Sequence, residues 1–207
     1  GDILIDAGFG RDCQSHFESM PLYFRMITDF DPGTAAIDQL KTVAYPADSL
    51  SGILLTHAHW DHVSGIPDFP KIPVFINNTE ELYINSGDRL SQLIHDFPNV
   101  IYKEYEFKNQ LYLNFSQSCD LYEDGSIVIV PAPGHTPGSV IVFVNIPDGK
   151  RYALIGDLAW QKEGVFLREE RPWLQSTLGD FNRHEVCENL LKMAAIAEKY
   201  PQIQIVP

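Results

Sequence analysis

Short apolar runs alternate along the chain with segments of helical spacing, and no repeat, low-complexity tract or linker-like stretch interrupts them. Ile3-Leu4-Ile5 opens as a strand and breaks at the turn Asp6-Ala7-Gly8. Thr34, preceded by Pro32-Gly33, is read as the N-cap of a helix through Ala44, with Pro46 beyond its end. The short apolar run Ile53-Leu54-Leu55-Thr56 predicts a buried strand, and Pro73 to Ile76 predicts another. Thr79 with Glu80 and Glu81 marks a helix start, and Asp88 to Phe97 spells a further amphipathic helix.

The second half is richer in strands. Asp124-Gly125 signals a hairpin before Ile127 to Val130. Val140 to Ile146 and Tyr152 to Ile155 read as strands joined by the turn Pro147-Asp148-Gly149-Lys150. Asn182 caps a long helix to Tyr200, in which Val186, Leu190, Met193, Ala194 and Ala197 recur at helical spacing. That stripe is read as core rather than as a site. Pro201 stops the helix, and Gln202 to Val206 forms a last strand. Strand groups punctuated by helices predict a layered α/β architecture, taken as a single domain over residues 1–207.

Composition narrows the function. The residues AVILMFWYC make up 44% and the charged residues 21%, which excludes a disordered chain. The net charge of −13 argues against a nucleic-acid partner, which would need a basic footprint. No uncharged apolar run approaches the roughly 18 residues of a membrane helix, so no membrane partner is expected. Cys13, Cys119 and Cys187 are odd in number, far apart and without a CxxC pair. They read as free thiols in a reducing compartment. GDILIDAG lacks the basic start and long apolar core of a signal peptide, so the expected location is cytoplasmic.

The candidate chemistry is concentrated in Thr56-His57-Ala58-His59-Trp60-Asp61-His62. In an extended segment His57 and His59 point to one side, because side chains alternate with period two. Asp61 and His62 follow where the chain must turn, so four potential metal ligands lie within six residues. Two further segments complete a shell. Pro133-Gly134-His135-Thr136-Pro137-Gly138-Ser139 places an imidazole in a turn between strands, and Ala153-Leu154-Ile155-Gly156-Asp157 places a carboxylate at the end of an apolar strand.

In their order, HxHxDH, GHTPGS and a strand ending in Gly-Asp resemble the metallo-β-lactamase superfamily, and they span nearly the whole chain. The resemblance implies a four-layer αββα sandwich with a dinuclear metal site at one sheet edge. It also implies ligand roles: His57, His59 and His135 for a first ion, Asp61 and His62 for a second, and Asp157 as the bridge. Imidazole and carboxylate donors suit two divalent ions, zinc first, with iron or manganese as alternatives. Asp6, in the Leu4-Ile5-Asp6-Ala7-Gly8 stretch, is placed to hydrogen-bond a ligand histidine. Members of the superfamily carry strands before that stretch and a last ligand histidine after the final strand. Here the stretch lies almost at residue 1 and no His follows His184, so the expectation is a sequence trimmed at both ends with a weakened second metal site.

The motifs are nearest to those of glyoxalase II and the acyl-homoserine lactonases. The expected function is a metal-dependent hydrolase of a small ester, thioester or lactone, with Asp61 carrying a proton to the leaving group. Trp60, Trp160, Phe166 and Trp173, with the apolar segment Met20 to Phe30, lean toward an apolar acyl or ring substrate. Two alternatives stand beside it: a mononuclear iron dioxygenase of the persulfide type on the same fold, and a non-catalytic metal-binding module. Arg168 and Arg171 are read as solvated surface charges, and His16, His95 and His184 as ordinary surface or boundary residues. Nothing in the residues sets the oligomeric state.

Overall fold

The computed structural model describes residues 1–207, the Leu174 side chain excepted. Two units make up the chain, Gly1–Glu104 and Tyr105–Pro207.

In the first unit the elements run β1 (Asp2–Ile5), α1 (Cys13–Ser19), α2 (Leu22–Ile27), α3 (Ala36–Thr42), β2 (Leu50–Leu54), α4 (Trp60–Val63), β3 (Val74–Asn77), α5 (Asn78–Ile84), α6 (Gln92–His95) and β4 (Tyr102–Tyr105), whose last residue reaches the boundary. The four strands form one sheet in the order β1-β2-β3-β4. β1 and β2 are parallel, with Leu4 opposite Ile53 and Ile5 opposite Leu54, and β2 and β3 are parallel too. Parallel neighbours need a crossover, and α1 to α3 supply the first one. All four residues of β3 are buried, which explains why Val74, Phe75 and Ile76 are apolar in succession instead of alternating. Ile53, Val74, Ile76, Val63, Ile94 and Trp60 share one core cluster.

Three predicted elements of this unit differ. α3 starts at Ala36 behind Ala35, and Thr34 does not cap it; its carbonyl accepts from the Gln39 side chain at 2.7 Å. α5 follows β3 without a loop, so Asn77 takes the capping place from Thr79 and accepts from Glu80 N at 3.1 Å. The helix expected over Asp88 to Phe97 shrinks to α6. Asp88 Oδ1 accepts the amides of Leu90 and Ser91, which closes a turn ahead of the helix.

In the second unit β5 (Cys119–Asp120), β6 (Ile127–Pro131), β7 (Val140–Asn145) and β8 (Arg151–Leu154) pair antiparallel in sequence. After them come α7 (Lys162–Leu167), α8 (Trp173–Gly179), α9 (Arg183–Lys199) and β9 (Ile203–Val206), which joins β8 in parallel with Ala153 opposite Ile205. The Asp124-Gly125 hairpin forms, with Gly125 at φ +74° and its amide on Asp120 Oδ2 at 2.8 Å. α9 begins where expected: Asn182 Oδ1 accepts from His184 N and Glu185 N. Its stripe Val186, Leu190, Met193, Ala194 and Ala197 is buried in one cluster with Val130, Ile141, Phe143 and Ala153 of the sheet. Among the described residues no helix is long and apolar enough to cross a membrane.

Candidate functional site

Each unit carries part of the predicted ligand set at the C-terminal end of a strand. In the first unit, β2 leads through Leu55 and Thr56 into His57 and His59, both buried. The ring centroids of His57 and His59 lie 4.8 Å apart, and those of His57 and His62 4.0 Å apart. Asp61 and His62 sit in α4, with Asp61 Oδ2 3.8 Å from His62 Nε2.

Asp6 organises this group. It takes φ +54°, and its amide is held by Leu54 O at 3.0 Å, which turns the carboxylate toward the end of β2. Asp6 Oδ1 accepts from Thr56 N at 2.7 Å, and Oδ2 accepts from Thr56 Oγ1 at 2.6 Å and contacts His62 Nδ1 at 2.8 Å. A carboxylate on Nδ1 selects the tautomer whose Nε2 lone pair is available to a cation. The hydrogen bond expected of Asp6 to one of these histidines is therefore present. A second carboxylate was not anticipated: Glu80, buried in the first turn of α5, accepts from Ala58 N at 2.7 Å and pins the backbone between His57 and His59. Glu80 had read only as a helix-start residue.

Trp60 belongs to the core rather than to a substrate pocket. It is buried among Phe9, Phe17, Phe24 and Phe30, with centroids 5.0 to 6.2 Å away. The segment Met20 to Phe30 thus sends Phe24 and Phe30 inward, while Leu22, Tyr23, Met26 and Ile27 of α2 face solvent. An open cleft of about 480 Å³ lies beside the ligand group, lined by Asp6, Phe9, Pro32, Thr34, Asp61 and His62 among others.

In the second unit His135 lies in the turn between β6 and β7. Thr136 N and Thr136 Oγ1 bond Ser139 Oγ, and Gly134 N donates to Thr136 O, which fixes the turn. Gly134 has φ +137°, and a Cβ there would meet Val186 N at 2.5 Å. Only glycine allows the turn to approach the start of α9 so closely. Asp157 follows β8 in a short helical turn, and Ile155 N donates to Val206 O at 2.9 Å. Asp157 Oδ2 lies 3.3 Å from His135 Nε2.

Two neighbours of His135 were not legible as site residues. Asp180 Oδ1 lies 2.9 Å from His135 Nδ1, and Arg171 pairs with Asp180. Arg171 corrects the sequence reading: it is buried rather than solvated, with its side chain 4% exposed and that of Asp180 2%. Arg168 is exposed and pairs with Glu198. Burial works against a charge on His135, yet its hydrogen bonds to Asp157 and Asp180 prevail and hold its pKa above the ordinary imidazole value. Trp160, Phe166 and Trp173 are exposed, and Trp160 Nε1 donates to Asp157 Oδ2 at 3.4 Å. His16 meets Ser64 Oγ at 2.9 Å and His184 pairs with Glu188. The three cysteines are free.

The family model of the metallo-beta-lactamase superfamily matches residues 1–195. A probable metallo-hydrolase of Mycobacterium tuberculosis is 26% identical over all of this chain and 70% of its own length. An N-acyl homoserine lactonase of Rhizobium radiobacter is 24% identical over 97% of this chain and 74% of its own. A solved quorum-quenching N-acyl homoserine lactone lactonase superposes with a TM-score of 0.69 at 18% identity, over 99% of this chain and 72% of that one. The dizinc quorum-quenching lactonase AidC superposes at 0.60 with 21% identity, over 95% and 65%. At these identities the structural likeness speaks to the fold alone.

Proposed function

Since this chain belongs to the metallo-beta-lactamase superfamily, we propose that it is a metal-dependent hydrolase of a lactone or related small ester, acting as one domain with two divalent ions, zinc first. His57, His59 and His135 hold one ion, Asp61 and His62 the other, and Asp157 bridges them. The observation that carries this reading is a repeated arrangement, one in each unit: Asp6 on His62 Nδ1 at 2.8 Å and Asp180 on His135 Nδ1 at 2.9 Å. A carboxylate behind an imidazole is the usual outer partner of a metal-holding histidine. Neutral nitrogen and carboxylate donors fit zinc, iron or manganese. Such ions supply a lowered water pKa and polarisation of a carbonyl oxygen.

The chain's own residues do the rest. The cleft beside Asp61 and His62 receives the ester carbonyl, with Phe9 and Pro32 offering apolar contact to an acyl group. Asp61, with its side chain 39% exposed at the edge of the group, accepts a proton from the attacking water. As the acyl C–O bond breaks, it delivers that proton to the leaving alkoxide oxygen. The names of the lactonase relatives support a neutral lactone as the first substrate to try.

The test is elemental analysis with a turnover assay on an N-acyl homoserine lactone and an aryl ester. The expected result is two ions per chain and lactone opening, with most metal and all turnover lost when His57 and His59 are both changed to Ala. Unchanged metal content in that variant sinks the ligand assignment. One iron per chain with oxygen uptake sinks the hydrolase reading.

A further inference from the structure

Resting on the ligand reading of His135 and Asp157, we propose that Arg171 is a positioning residue that holds both of them through one guanidinium. Its Nη2 pairs with Asp180 Oδ1 and its Nη1 lies 3.5 Å from Asp157 Oδ2. Its Cζ sits 5.5 Å from the Trp160 ring, whose indole N–H donates to the same Asp157 oxygen. The planar fork is thus seated on Asp180, faces Asp157, and is covered by an aromatic face.

The arrangement decides a tautomer. His135 Nδ1 is 2.9 Å from both Asp180 Oδ1 and Arg171 Nη2. Arginine can only donate. If Nδ1 carried no proton, Arg171 would donate to it, and Nε2–H would point at Asp157 Oδ2, 3.3 Å away, leaving no lone pair for a cation. If Nδ1 carries the proton, it donates to Asp180 and Nε2 is a ligand. Arg171 donates to the same Asp180 oxygen that faces Nδ1, so that oxygen is an acceptor there and selects the second state. With its side chain only 2% exposed, Asp180 is held in place by its pairing with Arg171. Arg171 therefore acts on His135 through Asp180 and on Asp157 directly.

Two effects of Arg171 oppose each other. As a cation it repels a metal ion, and as an anchor it orients the ligands. The adjacent Asp180 cancels most of its field, so orientation dominates. The two effects predict opposite signs on removal, which makes the inference testable without turnover.

The experiment is zinc affinity of the full chain by chelator competition, with thermal unfolding of the metal-free protein as the folding control. Arg171→Gln is expected to weaken zinc about 10- to 100-fold, the usual range for loss of an outer partner. Arg171→Lys should recover part of that loss, since it keeps the charge but not the fork. Asp180→Asn should weaken binding similarly, and the double variant should be weaker than Asp180→Asn yet lose less than the two single losses combined, because the path through Asp180 is shared and the contact with Asp157 is not. A folded Arg171→Gln protein with unchanged or tighter zinc overturns the inference, as do losses that simply add. If Arg171→Gln fails to fold because Asp180 is left unpaired, the double variant removes both charges together. Zinc weaker than in Asp180→Asn then supports the inference, and zinc as tight as in Asp180→Asn or tighter overturns it. A wild-type chain that takes up no zinc fails the ligand reading itself, and the inference falls with it.

Discussion

Asp6 ties together more of the first proposed ligand group than any of its histidines does. Its two oxygens meet the amide and hydroxyl of Thr56 and the Nδ1 of His62, so one side chain ties the end of β2 to α4. Asp6→Asn keeps the size but loses the charge and one acceptor. Zinc affinity is expected to fall about 10- to 100-fold in a chelator competition, with far-UV circular dichroism unchanged. Equal affinity would mean that His62 needs no partner. The proposed ligands themselves were legible because HxHxDH packs four of them into six residues, where local geometry alone brings them close. Asp180 and Arg171 were not legible. They lie 45 and 36 positions from His135, and nothing in their own neighbourhoods distinguishes them from surface charges until α8 and the turn before α9 fold.

Among the elements, α9 was the most readable. Its 17 residues carry an uninterrupted apolar period and a side-chain cap at Asn182, two signals that agree. Leu190 is 1% exposed, so Leu190→Ala should cost about 2–5 kcal/mol in urea unfolding. Asn182→Ala should cost about 1 kcal/mol by the same measurement. Asn182 N also donates to Gly134 O at 2.8 Å, and Asn189 Nδ2 to Pro133 O at 2.7 Å, so the start of α9 braces the His135 turn. Unchanged stability on loss of the Asn182 side chain would contradict its role as the cap. The short elements were read less well for a common reason. Around α3, α5 and α6 several residues compete for each cap, and the winner depends on where the preceding strand or turn stops. Asn77 displaced Thr79 only because β3 extends to it.

For the whole molecule the net charge of −13 bears on which substrates arrive. A negative protein slows the approach of anions, and salt removes the effect because the screening length falls from about 30 Å at 0.01 M to about 10 Å at 0.1 M. Over that range kcat/KM for an anionic aryl ester is expected to rise several-fold, while that for a neutral lactone stays level. A neutral substrate with the same salt dependence would refute a steering origin. The parallel pairing of β8 with β9 has a further consequence, in time rather than space. Asp157 leaves the end of β8, and the strand that flanks β8 on that side lies about fifty residues further along the chain. A ribosome adding about 5–20 residues per second takes roughly 3–10 s to synthesise that stretch. Asp157 therefore exists for seconds before it acquires its strand neighbour, so on the ligand assignment proposed above its place in the site would be among the last to form in the biogenesis of this protein.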